Sequence, residues 1–219
     1  GGIGALNGAQ VVFNGGSVAI TSTTTNPRYN VYAAGDGTTV TINGGDFSGY
    51  TNVDSPIIGV ANGSGKLNAV IDINGGTFDL LTEDTVDNTM TGGACIGSGT
   101  QGYYGSVLAD ITINSGILNL VSKSNGAALG GGPGQDGGNI YIFGGTITAV
   151  SEFEADAIGA GTASPKQNNN VRISGGTVKD GTATIGADVY VGPTTAYEKI
   201  SASITGGTIV GLIDVVGDY

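Results

Sequence analysis

Glu152, Glu154 and Asp156 alternate along the chain, so on a strand all three carboxylates leave the same face. Hard oxygen ligands grouped in this way suit Ca²⁺, which is the one cofactor the sequence suggests. A second acidic group, Glu83, Asp84 and Asp87, falls in a long insertion and suits the same ion less well. The competing reading of both groups is a solvated acidic edge that discourages strands from pairing with other molecules. No Asp-x-Asp-x-Asp-Gly loop accompanies either of them.

Aromatic side chains supply the other candidate chemistry. Tyr141 and Phe143 point outward if Ile140 and Ile142 point inward, and Tyr103 and Tyr104 lie in an insertion. Outward rings on a flat face stack on sugar rings or enter a protein interface; equally, they serve as cover for a neighbouring loop.

Several chemistries are excluded. The chain has no histidine, which removes Ser-His-Asp and Cys-His catalysis and a histidine-ligated zinc. A polysaccharide lyase needs carboxylates holding a cation beside an Arg or Lys base. Here Arg28, Lys66, Lys123, Lys166, Arg172, Lys179 and Lys199 are scattered over different repeats, and no enzyme is expected. The net charge of −11 disfavours nucleic acid and anionic membrane surfaces, both of which call for a basic footprint. No apolar run is long enough to insert in a membrane. Cys95 is a lone cysteine and is expected to pack as a small apolar residue.

The elements that must position these residues come from a repeat. The stretch NIYIFGGTITAV (139 to 150) reads as a short strand, a two-glycine turn and a second strand, and related segments begin near residues 11, 40, 71, 111, 171 and 202. The interval is about 30 residues, with one spacing about ten longer between Gly75 and Ser115, and a strand-built repeat of that period signals a solenoid. Ile3-Gly4, Ile58-Gly59, Ile96-Gly97, Leu129-Gly130 and Ile158-Gly159 mark a third short strand ending in a glycine-rich bend. Alternation in Ile111-Thr-Ile113 and Ile140-Tyr-Ile142 sends one set of side chains inward. Stacked Asn14, Asn43, Asn74 and Asn114 predict an amide ladder beside the turns. The fold expected is all-β: a single right-handed parallel β-helix over residues 1–219, with about seven coils of roughly 30 residues.

The segment AALGGGPGQDGGNIYIFGGTITAV (127 to 150) followed by DAIGAG (156 to 161) resembles a broad group of bacterial surface right-handed β-helix proteins with Gly-Gly-Thr repeats. The resemblance implies an extracellular or cell-surface setting. Some members look like carbohydrate-binding modules that attach to plant cell-wall polysaccharide, and others are parts of large adhesins. The function expected is therefore non-catalytic adhesion or polysaccharide binding. The alternatives are a self-assembling subunit of an extracellular filament, sheath or surface layer, and, less favoured, a polysaccharide lyase. The partners are then polysaccharide or other copies of the chain, with no nucleic acid and no membrane insertion. Ile3, Val215 and Val216 sit at the two ends of the repeat array, where head-to-tail stacking or continuation of a longer β-helix is expected.

Overall fold

A computed structural model of the protein describes residues 2–23, 31–61, 69–84, 92–100, 109–153, 155–162, 169–180, 189–191, 201–210 and 213–215. Every regular element among them is a strand. The strands form three parallel sheets of eight, seven and seven members, and in each sheet neighbours follow in chain order. One coil runs through Leu129–Gly130, Gly138–Ile142 and Thr146–Ser151, contributing one strand to each sheet. The fold is a parallel β-solenoid.

The period-two alternation sets which side chains enter the interior. In the second sheet Ile71, Ile111 and Ile140 stack in register, as do Ile73, Ile113 and Ile142, and all six are fully buried. In the third sheet Phe47, Phe78, Leu118, Ile147 and Val178 form the facing column. The rings of Phe47 and Phe78 stack with centroids 5.0 Å apart. A corner column of hydroxyls, Ser22, Thr51, Thr82, Ser122 and Ser151, is buried as well. The Cys95 thiol lies in this interior and donates to the Val121 carbonyl at 3.2 Å. Burial pushes its pKa up to about 12.

Two glycine positions explain the recurring signatures. At the Gly-Gly turn, Gly45 has φ +111°, and a Cβ there would lie 2.6 Å from the Gly16 carbonyl oxygen one coil below. The Ile-Gly pairs lie in the strands of the first sheet: Leu129–Gly130 and Ile158–Gly159 end at the glycine, as expected, whereas Ile96–Ser98 continues past it. Gly97 and Gly130 have φ +144° and +132°, and a side chain on either would overlap the next coil's carbonyl oxygen.

About five turns are enclosed, fewer than the seven expected. At both ends of the array, among the described residues, apolar side chains stay uncovered. Ile3, Leu6 and Val12 of the first coil, and Ile204 and Val210 of the last, are all exposed.

Candidate ligand-binding face

The outer surface of the second sheet brings the most chemistry together. Ile140 and Ile142 turn inward along Gly138–Ile142, so Asn139 and Tyr141 turn outward, and Phe143 follows on the same side with 54% of its surface exposed. The Tyr141 and Phe143 rings lie 6.5 Å apart, centre to centre, with their planes only 9° from parallel. Sequence alternation placed this pair outward, and the structure does so too.

Phe143 occupies the rung at which the amide ladder stops. Asn43 donates Nδ2 to Asn14 Oδ1 at 2.8 Å, Asn74 to Asn43 at 2.9 Å, and Asn114 to Asn74 at 2.7 Å. Each amide donates toward the preceding coil. No described residue donates to Asn114 Oδ1, because the next rung holds a phenyl ring. An acceptor is thus left beside the aromatic pair.

A second ladder crosses the same face: Asn170 donates to Asn139 Oδ1 at 3.2 Å, and Asn139 to Asp110 Oδ1 at 2.6 Å. Thr112, Tyr141 and Arg172 are register partners on successive strands, so Arg172 follows Tyr141 across the face. Arg172 is exposed and has no ion-pair partner among the described residues. Further along, burial pushes the Asp72 carboxyl up, and the Thr112 hydroxyl beside it offsets part of that. The face therefore combines aromatic rings, fixed amides, and an acceptor and a cation that have no partner among the described residues. Such a surface can stack a sugar ring and hydrogen-bond its hydroxyls.

The first acidic group is arranged differently from the sequence expectation. The strand Thr146–Ser151 ends before Glu152, so the alternation that was to align Glu152 with Asp156 does not hold. Glu152 is exposed and pairs with Lys123 at 3.6 Å. Asp156 is buried, and its Oδ2 accepts from the Ala160 amide at 2.7 Å, closing a tight loop. Glu154 lies outside the described residues. In the second group, Glu83 Oε2 accepts from the Tyr50 hydroxyl at 2.8 Å and Asp84 Oδ2 from Asn125 at 3.3 Å; Asp87 lies outside the described residues. Among the described residues no three acidic, cysteine or histidine side chains are grouped as metal ligands.

Tyr103, Tyr104 and Val216 also lie outside the described residues. Ile3 pairs with Val31 on the first sheet and Val215 with Val191 near the other end, so the two lie far apart along the array. One feature escaped sequence reasoning: a shallow depression of about 450 Å³ on the third sheet, lined by Ser17, Ala19, Asp46, Ser48, Thr77 and Asp79. Its signal was the run of small outward side chains, Ser17, Ala19 and Ser48, at one end of that sheet. Comparison of the chain with protein-family models, curated proteins and solved structures finds no match.

Proposed function

We propose that this chain is a non-catalytic, extracellular or cell-surface β-helix that binds polysaccharide on the outer face of its second sheet. The observation that carries this reading is the outward, nearly parallel Tyr141–Phe143 pair, Phe143 exposed and Tyr141 half-buried, set among amides whose positions are fixed by coil-to-coil hydrogen bonds. Rigid rings cost little entropy on binding, and a preorganised face keeps more of its contact energy as affinity. The Gly-Gly-Thr repeat and its resemblance to bacterial surface β-helix proteins support the setting. A pull-down with insoluble polysaccharides tests it: the wild type is retained, and a Tyr141→Ala/Phe143→Ala variant of unchanged fold is not. Equal retention of both proteins counts against this face.

A second reading, head-to-tail assembly, is favoured by the apolar side chains exposed on both end coils, Ile3, Leu6 and Val12 at one and Ile204 and Val210 at the other. Unpaired strand edges there offer a template for another coil, from a second copy or from a longer chain. Sedimentation of the chain over a range of concentrations tests the first of these. Linear oligomers weakened by Ile3→Lys support it, and a monomer at every concentration excludes it.

A further inference from the structure

We propose that the polysaccharide carried on this face is a polyuronate whose carboxylates are taken up by Arg172, an inference that rests on the reading just given. Tyr141 and Arg172 stand opposite each other on adjacent parallel strands, about 5 Å apart at the usual strand spacing. A sugar lying on the rings presents its C–H face to them and its ring substituents sideways, toward the flanking strands. On one side the free Asn114 Oδ1 accepts from a hydroxyl. On the other, the guanidinium meets whatever the sugar carries there, and its fork of donors matches a carboxylate better than it matches a single hydroxyl.

The charge pattern points the same way. The chain holds 18 acids against seven Lys and Arg, yet neither Arg172 nor Lys179 has an acidic partner among the described residues, whereas Lys123 is engaged by Glu152. Arg172 and Lys179 are both exposed and lie on one coil, either side of the Gly175-Gly176 turn, directly after the coil that carries the rings. The acids of the same face, Asp110 and Asp72, are two and three strands from Arg172, roughly 10 and 14 Å at the strand spacing. Both separations exceed the ~8 Å screening length at physiological salt. A positive stretch thus adjoins the stacking platform in an otherwise acidic protein.

Affinity electrophoresis of the intact chain through gels containing polygalacturonate, its fully methyl-esterified form, or a neutral glucan tests the proposal. The ester keeps the backbone and removes the charge. Wild type is expected to be retarded more by the free acid than by the ester, by about two- to five-fold in apparent affinity, the range of an exposed ion pair. Arg172→Gln is expected to remove that difference, while Tyr141→Ala/Phe143→Ala loses retardation in both. Equal retardation by acid and ester, or an Arg172→Gln variant that still prefers the acid, overturns the polyuronate inference and leaves polysaccharide binding standing. No retardation by any of the three polymers overturns both. Circular dichroism of each variant confirms that it is folded.

Discussion

The carbonyl oxygen of Gly130 occupies the space that a side chain on Gly97, one coil earlier, would need. The same relationship links Gly130 to Gly159, so the backbones of the first sheet approach one another too closely for a Cβ at these positions. Gly97→Ala is therefore expected to destabilise by at least about 1–3 kcal/mol, through combined strain at positive φ and overlap with backbone that has no room to retreat. A shift of the urea midpoint to lower concentration checks this, and an unchanged midpoint argues against the packing of this sheet.

Ile142 is fully enclosed between Ile113 and Ile173 of the neighbouring coils. Ile142→Asp places an unpaired carboxylate there at a cost of several kcal/mol, comparable with the whole stability of an ordinary domain. The variant is expected to be unfolded by circular dichroism at neutral pH. Wild-type thermal stability would refute the inward register of this strand.

Asp54 is buried and accepts from the Gly92 amide at 3.2 Å and the Thr100 hydroxyl at 3.3 Å. Burial is the larger influence and raises its pKa above the ordinary 3.8. A raised folded-state pKa means that the native state binds the proton more tightly. The resulting stabilisation is complete below the unfolded-state pKa and is lost as pH rises through the folded one. Asp54→Asn keeps an acceptor oxygen and cannot ionise. Its melting temperature relative to wild type is expected to increase as pH climbs from about 4 toward neutrality; a difference independent of pH would contradict the assignment.

Cys95, with its pKa near 12, holds almost no thiolate at pH 8 and is closed off from solvent. Thiol reagents are expected to leave it unmodified in the native protein and to modify it once denaturant is added. Rapid labelling of the native state would show that the interior opens.

Much of this architecture was legible because it rests on periodic constraints. Ile140 and Ile142 announce an inward face by alternation, and the four stacked asparagines announce their ladder by recurrence alone. The first sheet was less transparent: Gly97 and Gly130 read as bends, because nothing in one sequence says that two backbones will meet there. At the acidic group the inference failed for a related reason. Alternating Glu152 and Asp156 look alike on a strand, yet the strand ends at Ser151, and Asp156 is spent on an amide four residues later. The outward direction of Tyr141 and Phe143 could be read, whereas the acceptor on Asn114 and the cation at Arg172 stand out only through the partners each lacks among the described residues.

The Tyr141–Phe143 face is the surface on which polysaccharide is proposed to lie. The most direct measurement is a ¹H–¹⁵N correlation spectrum of the labelled chain titrated with hexasaccharides, one of uronic acid and one neutral. Saturable shifts are expected to concentrate on Asn114, Tyr141, Phe143 and Arg172, with the first sheet unmoved. Shifts confined to another face, or a spectrum that neither sugar alters, would contradict it.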